Sequence, residues 1–264
     1  MSKPTLSAEP VRSPAHLTFR RLLVPYDGSP LAKAALDVAL AFAHDGSEIF
    51  IVNVVDELAV IWPSADRCVC VAGMPLLDTL DSDVRALLRG ARERAKSESV
   101  EVVTDLVYGK TVSSINETVE ACQCDLIVMG THARLTFPGV FLGGTTDGIL
   151  RSATVPVLTV RDDGASHAVA FSRVLFAIDT SLAAMAARRV AERLSVERHA
   201  KLIAYTAPDG VVPGPAIVRA AASSNAGLVV MGTHGRKSFD RLVLGSVAEF
   251  VVRNSEVPVL VVRG

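Results

Sequence analysis

The sequence has almost no surplus of charge. Its 27 lysines and arginines meet 28 aspartates and glutamates, for a formal net charge of −1. A protein that grips nucleic acid needs a basic surface for the phosphates, so no nucleic-acid partner is expected. Long apolar runs are also missing. No stretch reaches the roughly 18 consecutive apolar residues of a membrane span, so no membrane partner is expected. The stretch from Met1 to about Thr18 is polar and contains proline, without the apolar core of a secretory signal. It reads as a loose tail on a cytoplasmic protein.

Cysteine is scarce. The four cysteines form two Cys-x-Cys pairs, Cys68/Cys70 and Cys122/Cys124. Zinc loops usually place two to four residues between paired thiolates, so the spacing favours ordinary thiols and no metal site is assigned. A thiol or metal sensor stays as the minor alternative. Catalytic signatures are lacking too. There is no His-Glu-x-x-His, no Walker loop and no Rossmann glycine fingerprint. His132 and His234 have neither an acid nor a nucleophile at triad spacing and read as structural loop residues. No catalytic residue is assigned.

What is present is a repeat. Half of the 264 residues are hydrophobic and 21% are charged, the mix of a chain with real cores. Arg21–Ser29 falls on Arg173–Ser181 at an offset of 152, and Ala34, Ala35, Val38 and Ala39 fall on Ala186, Ala187, Val190 and Ala191. Val128-Met-Gly-Thr-His-Ala-Arg134 falls on Val230-Met-Gly-Thr-His-Gly-Arg236 at an offset of only 102, which persists through Val155–Leu158 over Val257–Leu260. Four blocks in order mark a duplication. The two offsets make the second copy 50 residues shorter between its ends.

Each copy alternates strands and helices, which implies parallel strands with right-handed crossovers and helices on both faces. The first copy predicts strands over 21–25, 48–55, 100–107, 125–129 and 156–160, with helices after Ser29, over 78–97, over 111–122 and over 144–152. The second predicts strands over 173–178, 200–206, 228–231 and 258–262, with helices over 182–194 and 216–225 and another opening at Gly245-Ser246. It lacks the charged helix and the third strand. If that strand lies at a sheet edge, its loss spares the core but bares the next strand, with the neighbouring copy or a second chain as cover. Two domains are expected, a complete one over 18–162 and a shortened one over 171–264.

Parallel sheets bind ligands beyond the carboxyl ends of their strands. Asp27 and Asp179 end the first strands, where a carboxylate can accept from a ribose hydroxyl or cap a turn. Gly232, Gly235, Gly245 and Ser246 form a loop and a helix start, suited to phosphate or to a plain turn with a cap. Val54 and Tyr205 end the second strands, against adenine or simply in the core.

These residues resemble the universal stress protein family in its tandem form, over about residues 18–264. The match is carried by Gly232-x2-Gly235-x9-Gly245-Ser246, the strand-end aspartate before a Ser-capped helix, and the closing Val-Pro-Val-Leu. The resemblance implies an α/β fold of two Rossmann-like (adenine nucleotide alpha hydrolase-like) parallel-sheet domains in tandem, the second truncated. It implies a stress-response regulator that binds ATP or ADP, with Mg2+ as companion ion and slow hydrolysis at most. By the resemblance, the first copy offers Pro25, Asp27, Val54, Met129, Gly130 and Gly143, with Thr145 beside Gly144, where serine or threonine is expected. Ala133 stands where the second glycine is expected. The second copy offers Asp179, Tyr205, Met231, Gly232, Gly235, Gly245 and Ser246, with Ala177 in place of Pro25. Its intact loop favours it for phosphate. The resemblance also implies pairing through the last strands, between the copies or in a homodimer. A nucleotide-free scaffold or interaction protein is the alternative reading.

Overall fold

A computed structural model describes residues 19–56, 75–96, 99–131, 144–161, 171–178, 181–233 and 244–263. Nine strands form a single sheet among them: β1 (Arg21–Pro25), β2 (Glu48–Val55), β3 (Glu101–Tyr108), β4 (Leu126–Gly130), β5 (Val157–Val160), β6 (Arg173–Ala177), β7 (Lys201–Tyr205), β8 (Leu228–Gly232) and β9 (Val259–Val262). The seven helices among the described residues are α1 (Pro30–Phe42), α2 (Pro75–Arg94), α3 (Thr111–Ala121), α4 (Gly144–Ser152), α5 (Leu182–Glu197), α6 (Pro213–Ser223) and α7 (Ser246–Asn254).

The strand order is β3-β2-β1-β4-β5-β9-β8-β6-β7. Neighbours run parallel except β5 and β9, which pair antiparallel with Leu158 opposite Leu260. The two halves are therefore related by an approximate two-fold rotation about that seam. Thr159 adds a buried bond from its hydroxyl to the Val259 carbonyl, 3.1 Å away. Arg161 donates to the Ser255 carbonyl and Arg263 to the Leu150 carbonyl, so each half sends an arginine across the seam.

Period-two alternation sorts the strand side chains between two apolar layers. Leu22, Val24, Leu158, Phe176 and Leu260 face the layer beneath α1, α2 and α5. Leu23, Ile127, Leu175, Val229 and Val261 face the layer shared with α3, α4, α6 and α7. The Ser29 hydroxyl accepts from the Ala32 amide at 3.1 Å, and Ser181 does the same for Ala184, so the two first helices start alike.

The sequence expectation for α6 begins three residues late. Pro213-Gly214-Pro215 looks like a breaker, yet Pro213 stands in the first turn, where its missing N–H removes no helical bond. The charged helix likewise begins earlier, at Pro75. It is less a surface helix than its composition suggests, since Leu88, Ala91 and Ala95 are buried under it.

The edge position of β3 explains how the second half dispenses with a strand. β7, the counterpart of β2, is itself the opposite edge. The neighbouring copy does not cover it, because the halves join at β5 and β9, on their other sides. Among the described residues no strand lies outside β7. None of the described helices is long and apolar enough to cross a membrane.

Candidate functional site

Where β1, β2 and β4 end, a cleft of about 280 Å³ opens between α1, α3 and α4. Asp27, Val54, Gly130 and Thr145 all line it, as do Pro25, Met129 and Gly144. Sequence reasoning missed Tyr26, Asn53, Thr111 and Thr146. Asn53 is buried, and its side-chain amide donates to the Tyr26 carbonyl at 2.7 Å. The Thr146 hydroxyl is also buried and donates to the Gly130 carbonyl at 2.9 Å, tying the start of α4 to the end of β4. Polar residues one step from a strand-end motif were the available signal for both.

Asp27 is exposed, and one of its oxygens accepts from the Ser29 amide at 3.0 Å. It thus serves as a turn acceptor while its carboxylate faces the cleft. Gly130 is required for a packing reason. A Cβ there would stand 2.7 Å from the Leu31 Cβ and 2.9 Å from the Leu31 carbonyl oxygen. The missing side chain lets the start of α1 lie directly on the end of β4. α4 opens at Gly144, so its first-turn amides and the positive end of its dipole stand at the cleft wall. Val52, Val54, Ile115 and Met129 supply an apolar wall. Gly143 lies outside the described residues, as do Ala133 and His132.

In the second half, Met231 and Gly232 end β8 and Tyr205 ends β7. Gly232 repeats the role of Gly130, since a Cβ there would stand 2.8 Å from the Ala183 carbonyl carbon and the Ala184 amide nitrogen. Asp179, Gly235 and His234 lie outside the described residues. Strand register sets Tyr205 opposite Ala177, as Val52 is opposite Pro25. Tyr205 is therefore level with Val52, two residues short of Val54. The Gly245 amide donates to the Thr233 carbonyl at 2.8 Å. Gly245 is the N-cap residue, so its N–H lies outside the helix and closes the loop on itself. Ser246 is exposed at the first position of α7, and no side chain caps that helix.

Cys122 and Cys124 are free thiols at the end of α3, at the opposite end of the strands from the cleft. Burial pushes the Cys124 thiol up to about 12 and the Cys122 thiol upward as well. Among the described residues no three His, Cys, Asp or Glu side chains gather as a metal cluster. Cys68 and Cys70 lie outside those residues.

Comparison with known proteins agrees with this architecture. A universal stress protein of Methanocaldococcus jannaschii is 40% identical over 147 residues, covering 54% of this chain and 82% of the relative. One from Mycolicibacterium smegmatis is 25% identical over 294 residues, covering 92% of this chain and 96% of the relative. The crystal structure of a universal stress protein from Archaeoglobus fulgidus shares the fold with a TM-score of 0.71 at 22% identity, covering 92% of this chain and 98% of that one. The family model described as the universal stress protein family matches residues 18–161 and 209–263, and the chain belongs to that family.

Proposed function

We propose that the chain is a stress-response regulatory protein that binds an adenine nucleotide, ATP or ADP, in the first-half cleft. One observation carries this reading. Asp27, the start of α4 and an apolar wall containing Val54 converge on a single cavity. The three supply what a nucleotide needs: an acceptor for ribose hydroxyls, amide donors and dipole for phosphate, and a flat apolar surface for the base. Thr145 sits in the first turn of α4, where its hydroxyl can add a donor. Among the described residues Asp27 is the only carboxylate lining the cleft, so an accompanying Mg2+ would be held mainly by phosphate oxygens.

The bond between Gly245 and Thr233 favours a different role for the second half. With that amide taken, the half whose loop matches the family pattern has one donor fewer for phosphate. A nucleotide-free, structural second half is the reading this favours. Both last strands are used in the seam, so a homodimer of whole chains would need another surface.

Mass spectrometry of small molecules released from gently purified protein tests the assignment. One adenine nucleotide per chain is expected, and it should be lost in Asp27→Ala and kept in Ser246→Ala. A chain that purifies empty and gives no heat with ATP and magnesium is not a nucleotide-binding protein.

A further inference from the structure

The second half carries an open groove where the first half is filled. In the first half, α2 lies against β2 and β3. Its Leu88 and Ala91 join one apolar cluster with Leu36 and Ile51. Arg94 clamps it to α1, with two bonds to the Asp37 carboxylate at 2.8 and 2.6 Å. Among the described residues the second half has no counterpart of α2. The matching surface is a groove of about 300 Å³ that includes Phe176, Leu202, Ala204, Ile178 and Met185. Two of its large apolar side chains are exposed, Met185 at 53% and Ile178 at 39%. Exposed apolar side chains in a groove on β7, outside which no described strand lies, are what interaction surfaces present.

The duplication says how this seat has changed. The offset that superposes the N-caps Ser29 and Ser181 also superposes Asp37 on Arg189, Leu36 on Arg188 and Leu40 on Glu192. Arg188 and Glu192 pair with each other at 2.7 Å. Arg189 is exposed and has no ion pair among the described residues. The seat has kept an apolar floor and reversed the charge at its clamp.

We propose that this groove docks an amphipathic helix of another protein, with apolar side chains on Phe176, Met185 and Leu202 and a carboxylate on Arg189. Charge complementarity sets the sign of the occupant, because Arg188 and Glu192 neutralise each other in the groove and Arg189, at the position of Asp37, adds a positive charge. It also excludes α2 of a second copy. The last turn of α2 carries Arg92 and Arg94, which would meet Arg189 as like charges. Helix-in-groove recognition combines apolar anchors with such a polar contact.

The test uses a probe taken from the chain itself. A peptide of residues 75–96 with Arg92→Glu and Arg94→Glu is locked helical by a lactam bridge on its solvent face, with helicity checked by circular dichroism. In fluorescence anisotropy against the full chain, it should saturate at micromolar concentration and bind about tenfold more tightly than the lactam-bridged native sequence. Arg189→Glu should invert that preference, and Met185→Asp should abolish binding of both peptides. No saturable binding by the helical acidic peptide up to about 1 mM overturns the proposal. So does a preference that Arg189→Glu leaves unchanged. A chain dimer in light scattering that Met185→Asp dissolves would make a second copy the occupant and overturn it as well.

Discussion

Arg198, at the end of α5, stands over the ring of Phe42, at the end of α1, with its guanidinium carbon 4.4 Å from the ring centre. The same guanidinium lies 5.1 Å from the ring of Phe171 and donates to the carbonyls of Ala41 and Phe42. Phe42 and Phe171 meet edge to face at 5.2 Å. One arginine thus caps the carbonyls of a helix in the other half and covers an aromatic pair beneath it. Arg198→Ala should lower the unfolding free energy by about 2–4 kcal/mol in urea titration. Arg198→Lys should recover only part of this, because an ammonium keeps the charge but not the planar fork. An unchanged urea midpoint in Arg198→Ala would show that the contact adds nothing.

His44 is the next neighbour, with Nε2 3.1 Å from an Arg198 nitrogen and 3.9 Å from a Glu197 oxygen. Burial, and then the Arg198 charge, lower its pKa; Glu197 and Asp45 only partly offset them. The fold therefore favours the neutral ring. The sign follows from linkage. The unfolded chain takes up the proton first, so this contribution is complete above the unfolded value of about 6.5 and is lost as pH falls through the lower folded value. His44→Gln cannot titrate and should flatten stability against pH in that window. Equal slopes for the two proteins would remove His44 from the account.

Thiol chemistry should separate the two cysteines of the α3 end. With the Cys124 thiol pushed up to about 12 by burial, almost no thiolate exists near neutrality, and its sulfur is shielded. Cys122 is only half-buried. Iodoacetamide at about pH 8 should label Cys122 at least tenfold faster than Cys124, read by fragmentation of the shared peptide. Equal rates would mean that the native fold opens locally at this corner.

Two glycines of the cleft should respond oppositely to a side chain. Gly130→Ala pushes a methyl against the backbone of Leu31 and should cost about 2–3 kcal/mol of stability. Among the described residues nothing lies within 4 Å of a Cβ built on Gly144, so Gly144→Ser should fold normally. It would place a hydroxyl in the first turn of α4, as Ser246 does in α7, and should tighten ATP binding by up to about tenfold in calorimetry. Weaker binding in Gly144→Ser would place the phosphates elsewhere than at this helix start.

The sequence made the layout legible because apolar periodicity and repeated blocks are local signals. β1, α1, α4 and the lost edge strand were all readable from them. Asp27, Val54 and Thr145 were legible as strand-end or helix-start residues and do line one cleft. Asn53 and Thr146 were not, because their significance is a bond to a carbonyl on a different strand. The level of Tyr205 depended on how many residues separate β6 from β7, which only the register reveals. The closure of Gly245 onto Thr233 is a loop geometry that the glycine spacing alone left open.

Since β5 and β9 run head to tail, every strand of one half points against every strand of the other. The opening above Asp27 and the helix start at Ser246 consequently lie on opposite rims of one continuous slab. Molecules held on the two rims cannot touch, share a phosphate or crowd each other. Any influence between them has to pass as a mechanical strain through the central ribbon and the contacts that flank it, Arg198 on the end of α1 among them.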